Sequence, residues 1–310
     1  MFQRILVPLD GSPLAERALA FASTLSKQHQ SELVLVRAAE AHVPPYGELT
    51  AVLRRAEQEA QEYLETVAGR LHDAGHTEVV VSHESPGQGI VDETRLRRAD
   101  LVVMSTHRRS DVGRVLLGSV ADHVVRHSTV PVLLVPPTCI RTWEAEQLGG
   151  LGRPMRILVP LDGSAHGEAA LEVTQVIASG AKSTITLLSV VELAPTPFYA
   201  ADSKAEMAAQ KTYLRAQAGR LSGGAEVRTC VDAGTTAGCI LEHTRNHQAD
   251  LVVMATHGRG GLSRLVLGSV TADVLHQLDV PLLIVRPAIA VGERAEVAAS
   301  YSSERTPTLA

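Results

Sequence analysis

Cysteine, basic charge and long apolar runs are all scarce in this chain of 310 residues. Its three cysteines, Cys139, Cys230 and Cys239, show no CxxC or paired-ligand spacing. That argues against a zinc site and a disulfide framework, and it suits a reducing, cytoplasmic setting. Lys and Arg number 29 against 34 Asp and Glu, a formal charge of −5. No basic field is present to attract a nucleic acid or an anionic membrane. No uncharged apolar run is long enough to span a bilayer. The opening "MFQRILVPLD" reaches Asp10 too soon for a signal peptide. A Walker loop, G-x4-G-K-[ST], is absent as well. What is present is 45% hydrophobic and 20% charged residues, the composition of a soluble globular protein with a real core. The length suits about two domains.

The chain says nearly the same thing twice. "RILVPLDGS" runs from Arg4 to Ser12 and again from Arg156 to Ser164. "ADLVVM" recurs at Ala99 and Ala249, "LGSV" at Leu117 and Leu267, and "VPVLLV" at Val130 answers "VPLLIV" at Val280. Landmarks in the same order at nearly constant separation mark a duplicated domain. The boundaries read as a first domain over 1–137, a linker over 138–153, a second domain over 154–287 and a disordered tail over 288–310.

Within the first copy, "RILVPL", "ELVLVRA", "TEVVVSH", "DLVVMS" and "VPVLLV" read as five strands, nearly continuous in apolar residues as in a sheet covered on both faces. Leu14, Ala18, Phe21 and Leu25 form one helical stripe, with Ser12 as N-cap and Pro13 at N1. Glu48–Leu71 and Ile90–Arg98 predict two further helices, and the last begins at the Gly-Ser of "LGSV". Strand–helix alternation predicts α/β domains, each a doubly wound five-stranded parallel sheet of Rossmann-like type. Ligands bind such sheets at the carboxyl ends of the strands, near the switch point. That rule selects Asp10 and Asp162 after the first strands. It also selects the loops "STHRRSDVGRVLLGSV" from Ser105 and "ATHGRGGLSRLVLGSV" from Ala255.

In the second loop, Gly258 and Gly268 let the backbone approach a polyphosphate, and the helix that follows offers free N–H groups. The plainer reading is a flexible loop before a helix capped by Ser119 or Ser269. Local chemistry leaves the two readings level.

The strand-end "VPLDGS", the "ADLVVM" strand, the x-T-H-G-x9-G-S loop and the closing "VPVLLV"/"VPLLIV" strand together resemble the universal stress protein family, in its tandem arrangement. One branch of that family binds ATP through G-x2-G-x9-G-[ST], in a fold like that of adenine nucleotide alpha-hydrolases. The resemblance implies an adenine nucleotide site in the second copy. Pro160 and Met254 line the base pocket there, Asp162 lies by the ribose or adenine, and Val190 packs on the base. Ala255, Gly258, Gly268 and Ser269 stand on the phosphate pattern, followed by Val270. Ala255 departs from the pattern's first glycine by one methyl.

The corresponding residues of the first copy are Pro8, Asp10, Ala38, Met104, Ser105, Arg108, Gly118, Ser119 and Val120. Arg108, in place of glycine, either removes the backbone conformation the loop needs or sets a guanidinium beside a phosphate. The second site is therefore the surer one. ATP, with Mg²⁺ carried by its phosphates, is the implied cofactor. The resemblance further implies that the last strands pair across the domains as an intramolecular pseudo-dimer, and that two chains form a homodimer. No protein partner is implied.

His107 and His257 read as loop-fixing residues rather than bases, and Cys230 and Cys239 as buried small hydrophobes. "VELAPTPFYAADSK" reads as a flap or a plain connection. An ATP-binding stress or signalling protein, regulated by nucleotide occupancy, is the leading function. A slow ATPase or phosphotransferase ranks below it, since no paired carboxylates or nucleophile–base set is evident. A nucleotide-free scaffold of the same fold is the third reading.

Overall fold

Among the described residues, ten short apolar segments become ten strands of one sheet. In the first half they are β1 (Arg4–Pro8), β2 (Glu32–Ala38), β3 (Thr77–Ser82), β4 (Leu101–Ser105) and β5 (Val132–Val135). The second half supplies β6 (Met155–Pro160), β7 (Ser183–Val191), β8 (Glu226–Ala233), β9 (Leu251–Ala255) and β10 (Leu282–Val285). The computed structural model describes residues 2–39, 49–71, 75–106, 117–139, 154–179, 182–192, 200–221, 224–256 and 267–286. The loop residues His107, Arg108, His257 and Gly258, residues 193–199 of the expected flap, most of the linker and the tail lie outside them.

Strand order is β3-β2-β1-β4-β5-β10-β9-β6-β7-β8. Each half is parallel, with its switch point between the first and fourth strands. Buried continuous runs such as "LVVMS" in β4 need helices on both faces. In the first half these are α1 (Pro13–His29), α2 (Leu49–Gly69), α3 (Pro86–Leu96) and α4 (Ser119–His127). In the second they are α5 (Ala165–Ala178), α6 (Ala200–Arg220), α7 (Thr236–Asn246) and α8 (Ser269–Gln277). One core layer packs the α1, α2, α5 and α6 face and the other packs the α3, α4, α7 and α8 face.

The halves meet where β5 and β10 pair antiparallel, with Leu133 opposite Leu283. Both core layers continue across this seam. Gln28 at the end of α1 adds a polar tie, its Nε2 donating to the carbonyls of Ile177 and Ser179 at 2.8 and 2.7 Å. The pseudo-dimer expected from the resemblance is thus built into a single sheet.

Local details follow the sequence in α1. The Ser12 hydroxyl accepts from the Ala15 N–H, and Pro13 opens the helix. Two expectations need correction. Ser119 and Ser269 are not N-caps: Gly118 and Gly268 hold the cap position, in extended conformation, and each serine is the first helical residue. The helix expected over Ile90–Arg98 instead starts at Pro86 and ends at Leu96, with Arg98 left-handed at φ 52. Gly87 and Gly89 disguise its first turn as loop. Both face close neighbours, and a Cβ there would meet the His123 ring at 2.9 Å or the Ser82 Oγ at 2.3 Å.

Candidate functional site

The carboxyl ends of β1, β2 and β4 and the start of α4 converge on a cavity of about 1060 Å³. Eight of the expected first-copy residues line it: Pro8, Asp10, Ala38, Met104, Ser105, Gly118, Ser119 and Val120. Pro8 closes β1, Ala38 closes β2, and Met104 and Ser105 close β4, so the parallel register brings them to one edge. Arg108, the ninth, lies outside the described residues.

The β1–α1 turn is set by its own sequence. Asp10 Oδ1 accepts from the Ser12 N–H at 2.8 Å, and Gly11 between them has φ +88, a left-handed conformation that favours glycine. The second copy repeats it: Asp162 Oδ1 accepts from the Ser164 N–H at 3.0 Å and from its hydroxyl at 2.7 Å, around Gly163 at φ +83. Both aspartates are held by a turn before any ligand arrives.

The loop after the fourth strand is anchored alike in both halves. Thr106 N–H donates to the Val135 carbonyl, and Thr256 N–H to the Val285 carbonyl, each at 3.0 Å. In the second half the Gly268 N–H also donates to the Thr256 carbonyl at 3.1 Å. The loop therefore closes on itself where α8 begins. The amides left for an anion are those of the first helical turn after Gly268. The same edge gathers the expected second-copy residues at matching positions. Pro160 ends β6, Asp162 follows it, Val190 lies near the end of β7, Met254 and Ala255 end β9, and Gly268, Ser269 and Val270 open α8. Gly258 lies outside the described residues.

The first cavity reaches further than the sequence reading. Its wall includes Arg37 and Glu59 on one side, and Asp122, Arg126, Leu275 and His276 on the other. Leu275 and His276 belong to α8, so the second half borders the first half's site. Arg126 Nε pairs with Asp122 at 2.7 Å, a hydrogen bond that raises the Arg126 pKa. Arg37 stands 4.7 Å over the ring of Tyr63 in a cation–π contact. Tyr63 in turn donates to Glu16 at 3.0 Å, and Arg70 pairs with the same carboxylate at 3.1 Å. Burial, reinforced by Glu16, pushes the Tyr63 hydroxyl up to about 12. Tyr213, Glu168 and Arg220 repeat the arrangement in the second half. One signal could have exposed Arg37 beforehand: aligning the two copies sets it against Ser189.

Cys239 is buried and Cys230 half-buried, both free, and burial raises both thiols. Cys230 Sγ lies 4.0 Å from His243 Nε2, which is 3.0 Å from Asp232 Oδ2. Among the described residues no group of three or more His, Cys, Asp or Glu is arranged to hold a metal ion. None of the described helices is long and apolar enough to cross a membrane.

Fold and site together define a tandem doubly wound α/β protein with a ligand-sized cleft at the carboxyl edge of its sheet. The chain belongs to the Universal stress protein family, whose model matches residues 1–136 and 154–286. A universal stress protein of Mycolicibacterium smegmatis is 25% identical over 300 residues, covering 91% of this chain and 97% of that one. One from Mycobacterium tuberculosis is 28% identical over 306 residues, covering 91% and 96%. The crystal structure of a universal stress protein from Archaeoglobus fulgidus superposes with a TM-score of 0.69 at 21% identity, covering 91% of this chain and 98% of that one. That last likeness speaks for the fold alone.

Proposed function

We propose that the protein binds an adenine nucleotide, ATP with Mg²⁺ on its phosphates, and acts in stress signalling through nucleotide occupancy. The observation that supports this most is the first-half cavity, lined by all eight of the described first-copy residues that the family pattern nominates. Its chemistry suits the ligand. Ala38 and Met104 offer apolar surface for a base, Asp10 an acceptor for ribose hydroxyls, and the α4 start free amides for phosphate. Mg²⁺ would be held by phosphate and water oxygens. The second-half edge repeats the plan at Pro160, Asp162, Val190, Met254, Ala255, Gly268, Ser269 and Val270. Two chains would associate as a homodimer.

Mass spectrometry of protein purified gently, without added nucleotide, should find bound ATP. Calorimetry of stripped protein with MgATP should give saturable binding. Absence of both sinks the reading.

A further inference from the structure

Arg37 carries a charge whose partner among the described residues is an aromatic ring. It is half-buried, projects into the first-half cavity and is held by the Tyr63 face. Among the described residues no carboxylate pairs with it. The nearby acids are engaged otherwise. Asp10 Oδ1 accepts from the Ser12 N–H, Glu59 pairs with Arg55 at 2.9 Å, and Glu16 takes Tyr63 and Arg70. A half-buried guanidinium in a cavity is stabilised by an anion that arrives from outside.

Its place narrows which anion. Arg37 lies in the penultimate position of β2, and its guanidinium packs on the β1–α1 turn. A Cβ built on Gly11 would sit 3.3 Å from Arg37 Nη2. The helix start that suits a polyphosphate, at Gly118 and Ser119, belongs to the loop after β4 instead. In doubly wound sheets that bind dinucleotides, an acidic residue near the end of the second strand meets the ribose, and an arginine nearby accommodates a ribose phosphate. The second half has Ser189 at this position, and its hydroxyl donates to Gln210 Oε1 at 3.0 Å.

We infer that the first-half site takes an adenine nucleotide phosphorylated on its ribose, with Arg37 reading that phosphate, whereas the second-half site lacks this preference. The inference rests on the nucleotide reading above. Calorimetry would compare AMP, adenosine 3′,5′-bisphosphate, adenosine 2′,5′-bisphosphate and ATP on the full chain and on its R37S and R37K variants. Serine is the residue of the second copy and lysine keeps the charge, so each has a defined meaning. One class of sites in the unaltered chain should bind one bisphosphate about tenfold or more tighter than AMP. R37S should bring that ratio to within about twofold, and R37K should keep part of it. A chain that prefers neither bisphosphate, or whose preference survives R37S, overturns the inference. If ATP binds in that case, the nucleotide reading stands; if neither ATP nor AMP binds, both readings fall.

Discussion

Arg37 in β2 and Ser189 in β7 occupy the same place in two copies of one domain, yet one faces a cavity over an aromatic ring, with no carboxylate paired to it among the described residues, and the other is hydrogen-bonded to a neighbouring helix. The next strand out diverges as well. Val80 and Ser82 of β3 correspond by register to Cys230 and Asp232 of β8. In the first half, Gly89 lets α3 press onto Ser82, and Gly87 lets it press onto the His123 ring of α4. In the second half, Asp232 meets His243 of α7 instead, and its carboxyl is held below the usual range by the Ala233 amide and then by His243. The scaffold ties show no such drift. Asp100 accepts from the Arg4 N–H and Asp250 from the Arg156 N–H, and both Tyr–Glu–Arg clusters persist. These differences between the halves lie at the carboxyl ends of the second strands and on the outer strands.

The largest test asks whether the halves are separable at all. Leu133 and Leu283 are fully buried and opposite one another at the seam. L133A and L283A should each cost roughly 2–5 kcal/mol in urea unfolding. Because the two sites share one core, the double variant should depart from additivity by about 0.5 kcal/mol or more. Additive costs, or two separate unfolding transitions in the single variants, would mean two independent domains in mere contact.

A smaller effect is expected at the start of α8. A Cβ on Gly268 would meet the Thr256 carbonyl oxygen at 2.9 Å, a backbone atom that cannot swing aside. Its φ of −56 is open to any residue, so closeness alone makes the demand. G268A should lower stability by about 1–3 kcal/mol and weaken nucleotide binding in the second half while sparing the first. Unchanged affinity at both sites would show that the second-half loop does not position a ligand.

The strands were legible because a sheet covered on both faces needs unbroken apolar runs, and "ILV", "LVLV" and "LVVM" can be little else. The pairing of β5 with β10 was legible only through the family resemblance, since nothing in "VLLV" names its neighbour. The true start of α3 was hidden because Gly87 and Gly89 look like loop until His123 and Ser82 are seen against them. Ser119 and Ser269 looked like caps because hydroxyls usually cap. The glycine before each takes that role, and at Gly268 the crowding by the Thr256 carbonyl leaves no room for a side chain. Arg37 read as one more strand residue, because period-2 reasoning says nothing about which end of a strand opens into a cavity. The contrast of Arg108 with Gly258 remains one of sequence, as both lie outside the described residues.

The smallest expected effect separates the halves by pH. Burial lowers the pKa of His29 and His123 in the first half and of His247 in the second. Stacked histidines add to this, His127 on His123 at 4.2 Å and His243 on His247 at 5.2 Å. The unfolded chain takes up these protons first, near pH 6.5, so each site's stabilisation is complete above that value. It is lost progressively as pH falls towards the lower folded value. With two such groups against one, amides of β1 and α4 should lose more opening free energy between about pH 7 and 5 than amides of β6 and α8, after correction for intrinsic exchange. H29Q should flatten the first-half slope by at most one proton's worth, because it removes the more deeply buried ring of the two. A slope unmoved by H29Q would show that the His29 ring titrates alike in the folded and unfolded chain, and equal slopes in the two halves would show that they open together through the shared core.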